Sequence, residues 1–367
     1  MIKIDLRRIM MWLTGHIDSL LLSFMLLLMM IGLIVLYSAT GQDLGKTTSQ
    51  MVNMLVALMA MWVVANVSPQ HIARAALPVY ILGLLLLIGV ALFGDISHGA
   101  RRWLNVGVRI QPSELMKLAV PLMLAWYLDK REKTLNLKDF GFAVLMLVVP
   151  VGLIVKQPDL GTALLISASG FYVLFLAGLS WRIILGLVGL GAASAPILWS
   201  LLHDYQRQRI LTLIDPSQDP LGSGYHIIQS SIALGSGGIF GKGWFNGTQT
   251  HLDFLPEKTT DFIFAVYAEE FGMAGNLILL TLFVLVIGRG LVIAANAPTL
   301  FSRLLAGSIT LTFFTYAFVN IGMVSGILPV VGVPLPLISY GGTSMVTLLL
   351  GFGMLMSIQT HRKLVQT

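Results

Sequence analysis

Asp261 stands at a seam between a polar run, Pro256-Glu257-Lys258-Thr259-Thr260, and an apolar one, Phe262-Ile263-Phe264-Ala265-Val266. A carboxylate at such a seam is partly desolvated, which raises its pKa and suits it to take a proton. The same position is a helix start, where the dipole favours the ionised form, so the two effects oppose. It also suits a cap: Asp261 or Thr260 can satisfy the free N–H groups of the helix that follows. Residue type and position alone favour the cap. Glu269 and Glu270 follow eight and nine residues on. At about 1.5 Å per residue they lie roughly 12 Å deeper in the same helix. Two adjacent carboxylates in a membrane span are costly, so at least one must be hydrogen-bonded, protonated or facing water. A proton-coupled transporter would use such a pair.

Glu114 and Lys117 are three residues apart, on one face of a helix. They read either as a structural ion pair or as the polar wall of a cavity, and Asp159 is placed to share Lys117. Arg101, Arg102 and Arg109 sit in one short outer loop, and Arg207 and Arg209 open a long one. Basic residues on the outer side run against the usual bias, which points either to an anionic ligand or to lipid headgroups. Gly235-Ser236-Gly237-Gly238-Ile239-Phe240-Gly241-Lys242-Gly243 looks like a phosphate loop but fails the pattern. Ser236 stands where its first glycine belongs and Gly243 where Ser or Thr belongs. It reads as a flexible outer turn, with backbone N–H groups that could line an anionic headgroup.

The elements that must position these residues are set by the bilayer. Of 367 residues, 56% are hydrophobic and 11% charged, and the mean hydropathy is +0.85. A soluble domain is about 25% charged. Here the apolar residues come in runs of span length, about 20 residues each. The chain therefore reads as an all-α polytopic membrane protein and a single transmembrane domain over residues 1–367, not a soluble enzyme, a disordered chain or an outer-membrane barrel. Ten spans are expected near 17–39, 48–67, 76–94, 111–128, 139–156, 160–179, 181–202, 261–288, 301–324 and 338–359. Residues 203–260 form a large extracytoplasmic loop between the seventh and eighth spans. Its stretch Tyr225-His226-Ile227-Ile228-Gln229-Ser230-Ser231-Ile232-Ala233-Leu234 reads as a short interfacial helix. Both termini are expected on the cytoplasmic side, with the densest basic segments, 130–138 and the two tails. The formal charge of +6 follows from that topology, and nucleic acid is not expected as a partner. Without a cysteine, disulfides and thiolate chemistry are excluded.

Before the last span the chain reads Leu328-Pro329-Val330-Val331-Gly332-Val333-Pro334-Leu335-Pro336-Leu337-Ile338-Ser339-Tyr340-Gly341-Gly342. Prolines and glycines break the helix there at membrane depth, which is tolerated only inside protein or beside a cavity. Asn320, Gly326, Pro329, Gly332, Pro334, Ser339-Tyr340-Gly341-Gly342 and Ser344 also carry a resemblance to the shape, elongation, division and sporulation (SEDS) family. The resemblance covers nearly the whole chain. It includes Gly99-Ala100-Arg101-Arg102-Trp103-Leu104, Gln111-Pro112-Ser113-Glu114, Gln157-Pro158-Asp159-Leu160-Gly161-Thr162, Tyr205-Gln206-Arg207-Gln208-Arg209 and Thr260-Asp261-Phe262-Ile263-Phe264-Ala265. Within the family the chain looks most like the elongation members.

The resemblance implies a bacterial inner-membrane peptidoglycan glycosyltransferase that polymerises lipid II into β-1,4 glycan strands with inversion, for cell elongation and rod shape. Asp261 matches the family's essential aspartate, which moves it from cap to general base. Arg101, Arg102, Arg207 and Arg209 are then expected on the diphosphates. Trp103 is expected against a sugar or the isoprenoid neck, or as an interfacial anchor. Glu114, Lys117 and Asp159 would line the same cavity. The implied partners are lipid II, undecaprenyl-diphosphate-linked glycan, a class B penicillin-binding protein and membrane lipids. A divalent cation, Mg²⁺ or Mn²⁺, is implied at the diphosphate, with no ligand set visible and no organic cofactor. Two other readings stay open: a lipid II flippase gated by Glu269 and Glu270, and a scaffold for the penicillin-binding protein without chemistry of its own.

Overall fold

The computed structural model describes residues 15–361 except 98–99, 106–108, 158, 203, 220–221, 253 and 256. The basic tail residues therefore lie outside the described residues. Each expected span has its helix: α1 (Ser19–Ala39), α2 (Leu44–Ala65), α3 (Pro69–Phe93), α4 (Pro112–Asp129), α5 (Leu137–Val155), α6 (Leu160–Leu176), α7 (Trp181–Leu201), α11 (Ile263–Ala295), α12 (Leu300–Val324) and α13 (Gly342–Thr360). Seven of them are long and apolar enough to cross a membrane. The other three are α4, which carries Glu114, Lys117 and Asp129, α6 at 17 residues, and α7, whose apolar stretch Trp181–Ile197 is also short.

Caps set several boundaries. Asp18, Asp43 and Asp159 each accept a backbone N–H of the helix that follows, replacing donors that a helix start leaves unpaired. Asp18 also takes the guanidinium of Arg289 from α11 (Nε to Oδ1 3.2 Å), which ties two helices together. α12 is the most buried of the apolar helices and packs against α4, α6 and α11, while α13 packs along α2. His16 stacks on His361 at 4.6 Å between ring centroids, bringing the two ends of the described chain together.

The connection between α3 and α4 departs from an all-helical chain. It is a small antiparallel sheet of β1 (Asp95–Ser97), β2 (Ala100–Asn105) and β3 (Arg109–Ile110), in the order β1-β2-β3. The long loop is ordered, as its length suggested. It carries α8 (Asp204–Ile214), α9 (Ser223–Ser236) and the short α10 (Thr248–His251). The expected interfacial helix is α9, whose Ser230 hydroxyl donates to Val324 O at the end of α12 (3.0 Å).

α11 is broken. Gly272 leaves the helical region (φ 64°, ψ −161°). Thirty-three residues of straight helix would run about 50 Å, well beyond a hydrocarbon core of about 30 Å. The break divides α11 into a short segment, 263–271, and a membrane-length one, 273–295. Glu269 and Glu270 belong to the short segment. The expectation that they lie deeper in a continuous span is thereby corrected.

Candidate active site

The turn that carries Asp261 is built on left-handed backbone at Glu257 (φ 48°). The Glu257 carbonyl accepts from Thr260 N (3.1 Å) and Phe262 N (3.2 Å), and its carboxylate accepts from the Thr260 hydroxyl (2.9 Å). The proline-rich segment then clamps this turn from the other side. Buried Asn320, on α12, donates through Nδ2 to Asp261 O and to Val333 O, both at 2.7 Å. Ser339 Oγ donates to Thr260 O (2.6 Å) and accepts from Leu335 N (2.8 Å). Tyr340 N donates to Thr259 O (2.9 Å). Gln50, buried on α2, completes the clamp, donating to Ser339 O (3.1 Å) and accepting from Gly341 N (3.2 Å). Two helices, α2 and α12, and the segment 328–341 thus fix the backbone of 259–261.

The Asp261 carboxylate itself is left unoccupied by that network. The N-cap of α11 is Phe262, and no side chain caps the helix, so the capping reading is overturned. Among the described residues no donor bonds the Asp261 side chain. Gly332, at φ 76°, faces it. A Cβ there would stand 3.5 Å from Oδ2, and the positive φ rather than crowding is what demands glycine. Burial, and then the negative charge of Glu257, push the Asp261 carboxyl up to about 6. The group therefore holds a proton acceptor's affinity near neutral pH.

A second polar cluster lies beneath. Lys117 Nζ pairs with Glu114 Oε1 at 2.6 Å and stands 5.3 Å from the Tyr316 ring centroid. Asp159 caps α6 at Thr162 N (3.3 Å), accepts from Gln111 Nε2 (3.5 Å) and faces Arg102 Nε at 3.9 Å. Asp159 is thus paired with Arg102 rather than with Lys117, contrary to the sequence expectation. Gln111 and Glu114 open onto a cavity of about 470 Å³ between α2, α4 and α13, with Asn53, Thr343 and Thr347 on its other walls. Tyr316 packs with Val333 and Val331, the two neighbours of Gly332. The Asp261 turn and the Lys117 cluster therefore share one wall.

The four arginines do not converge alike. The Arg101 side chain lies outside the described residues. Arg102 and Trp103 occupy adjacent positions of β2 and so point to opposite faces of the strand. Both are half-buried, and Arg102 is the one beside Asp159. Arg207 donates to Trp199 O (3.0 Å) and Ser200 O (2.7 Å), closing the carbonyl end of α7. Arg209 is half-exposed on α8.

The carboxylates expected to gate a transporter are engaged by neighbouring elements. Glu269, fully buried, pairs with Lys242 Nζ (2.7 Å) and accepts from Thr248 Oγ1 (3.0 Å), Gln249 N (3.1 Å) and Thr250 Oγ1 (3.3 Å). Glu270 bonds Ser38 of α1. The glycine-rich run is no phosphate cradle and no loose turn. Lys242 N and Gly243 N donate to Glu269 O and Glu270 O (both 3.0 Å), while Met273 N and Ala274 N donate back to Gly238 O and Ile239 O (both 2.9 Å). These four bonds satisfy the backbone that the Gly272 break sets free. A Cβ on Gly272 would meet Gly241 N at 2.3 Å, so the two chains touch backbone to backbone.

Sequence reasoning gave no role to Gln50, Glu257, Asn320 or Ser339. Asn320 and Gln50 carried a usable signal, since each is a polar side chain within a span. Glu257 carried none, because its left-handed φ is invisible in residue type.

Comparison with known proteins agrees with this geometry. The model of the cell-cycle protein family of FtsW, RodA and SpoVE matches residues 18–364. The chain is 53% identical to the peptidoglycan glycosyltransferase MrdB of Escherichia coli K12, over 96% of each chain. It is 34% identical to that of Helicobacter pylori, over 95% of this chain and 91% of the other. Its fold superposes on a chain of a peptidoglycan synthase complex that coordinates polymerization and crosslinking, with TM-score 0.82 and 35% identity over 94% and 98% of the two chains. The rod shape-determining protein RodA of Thermus thermophilus gives 0.72 at 31% identity, over 94% of this chain and 97% of the other. With a match running almost end to end and the Asp261 turn clamped by the residues that carry the resemblance, the chain belongs to the FtsW, RodA and SpoVE family.

Proposed function

We propose that this chain, a multi-pass membrane peptidoglycan glycosyltransferase, uses Asp261 as the general base that extends a glycan strand. The observation that carries the assignment is a carboxylate with a rigid backbone and no bonded partner. α12 and the segment 328–341, itself held by Gln50 of α2, fix residues 259–261, yet the side chain keeps its lone pairs free and its proton affinity near neutral pH.

The acceptor sugar hydroxyl at C4 gives its proton to Asp261 as its oxygen forms a bond to C1 of the lipid-linked donor. The C1–O bond to the diphosphate breaks on the opposite face, so an α-linked donor yields a β-1,4 linkage and undecaprenyl diphosphate departs. An α-linked lipid diphosphate sugar is the donor class that this chemistry demands, and lipid II and undecaprenyl-diphosphate-linked glycan both belong to it. Arg102, held beside Asp159, offers a charge-assisted hydrogen bond to the leaving diphosphate. Gln111 and Glu114, the latter paired with Lys117, give the cavity between α2, α4 and α13 a polar wall for a headgroup on a lipid tail. Arg207 contributes by fixing α7.

A divalent cation does not find a protein cage. Among the described residues no three His, Asp or Glu side chains come together to hold one, so no step is routed through it. The reading places the reaction on the outer face of the bacterial inner membrane, with both termini cytoplasmic. It pairs the chain with a class B penicillin-binding protein, and its support is the fold shared with a synthase complex that couples polymerization to crosslinking. Transport keeps weaker residue-level support, because Glu269 is engaged by the loop and Glu270 by Ser38 of α1.

The test is lipid II polymerisation by the purified protein with a penicillin-binding partner that lacks transferase activity. Wild type should make glycan and Asp261→Asn should not, while both bind the partner. Glycan from both would overturn the base assignment. Glycan from neither, with the complex and the lipid intact, would favour a scaffold.

A further inference from the structure

The glycine-rich strap has an outer surface that the chemistry does not use. Phe240 is 83% exposed, and Ile239 and Trp244 are exposed beside it. Four backbone bonds to the broken helix hold the strap rigidly, so this apolar tip cannot fold away. The charged side chain within it, Lys242, turns inward and is neutralised by buried Glu269. What remains outside is apolar.

Two helices fix the depth of the tip. Ile239 O accepts from Ala274 N, in the first turn of the membrane-length segment 273–295. Trp244 Nε1 donates to Ile34 O, more than a helical turn inside the end of α1 at Ala39. Trp244 and Phe245 pack on Tyr37 of the same helix. The tip is therefore level with spanning residues rather than above them. The apolar side chains around it, Met30 and Ile34 on α1 and Met273 and Leu277 on α11, are exposed in the same way.

We propose that Ile239, Phe240 and Trp244 are seated among the acyl chains of the membrane leaflet on the Asp261 side. An exposed Phe beside an indole that finds a polar partner is the composition that settles at that boundary. The strap then ties the segment following Asp261 to the bilayer at a set depth, which fixes how far the reaction turn stands above the lipid.

The chain has no cysteine, so a single one can report depth without a background. Phe240→Cys carries a nitroxide in vesicles of phosphatidylethanolamine and phosphatidylglycerol, and collision with oxygen is compared with collision with a water-soluble nickel chelate. Leu277→Cys, on the exposed face of α11, is the lipid reference, and Gln208→Cys, exposed on α8, the aqueous one. Ile239→Cys repeats the measurement should the first variant misfold. The expected result is loss of nickel accessibility at 240 to the level at 277. Nickel accessibility like that at 208 overturns the proposal. So does a label that is aqueous in the lone chain and becomes shielded from both reagents only when a penicillin-binding partner is added, which would make the tip a protein contact.

Discussion

Asp261 and Glu269 lie on one stretch of chain, yet their surroundings are opposite. Around Glu269 the loop supplies an ammonium, hydroxyls and a backbone N–H, all spent on one carboxylate. Around Asp261 the donors are spent on its backbone and its neighbours, and the carboxylate is left bare. A carboxylate ringed by donors is an architectural group, held ionised and unavailable. One stripped of donors in a rigid frame is available for a proton. The difference separates chemistry from scaffolding where residue type alone does not.

The largest effect should come from removing the bare carboxylate. Asp261→Asn is expected to lower polymerisation by roughly 10²–10⁴-fold, the usual weight of a positioned base. It should also stabilise the fold. The raised pKa means that the neutral form suits the folded state: stability is full below the ordinary value of 3.8 and is lost as pH rises through about 6. At about 1.4 kcal/mol per pH unit, ionisation costs the fold about 3 kcal/mol at neutral pH. Asparagine escapes that cost, so Tm in detergent should rise while activity disappears. A variant that is both inactive and less stable would break the comparison.

Glu269→Ala should do the reverse. It strips Lys242 and the loop donors of their shared acceptor, a loss on the order of 3 kcal/mol, read as a lower Tm. Glycan synthesis by the fraction still folded should persist. Asn320→Leu comes next, leaving Asp261 O and Val333 O unpaired at about 1–3 kcal/mol. Because Asn320 acts on the turn and not on the proton, kcat should fall with the acid limb of the pH profile unmoved. In wild type that limb should lie near pH 6, activity falling as Asp261 protonates. The smallest effect belongs to Glu257→Gln. Removing its charge should move the limb down by a fraction of a pH unit, since burial is the larger cause.

The fold was legible because spans announce themselves by length and apolarity, and all ten expected positions hold a helix. The break at Gly272 was not legible. Glycine within an apolar run is common in membrane helices, and the signal for a break was in the partner strand of glycines, misread as a flexible turn. The site was half legible. Glu114 lines the cavity between α2, α4 and α13 and pairs with Lys117, and Arg102 stands beside Asp159, but the cap and the Asp159–Lys117 pairing were wrong. Both errors have one source: sequence gives neighbours along the chain, and these bonds are decided elsewhere, by α12 and the segment 328–341 for the Asp261 turn and by Arg102 of β2 for Asp159. The same limit applies to Arg207, whose use at the end of α7 cannot be seen from its charge.

The clamp on the Asp261 turn also has a consequence for synthesis of the protein. Its frame needs Gln50, from the second helix, and Ser339 and Tyr340, which leave the ribosome well after the turn itself. Until those residues enter the bilayer and dock, the turn 259–261 lacks two of the three hydrogen bonds that hold its carbonyls. A nascent chain halted before them can insert most of its helices and still hold no ordered reaction turn. An ordered reaction turn thus waits for synthesis past residue 340.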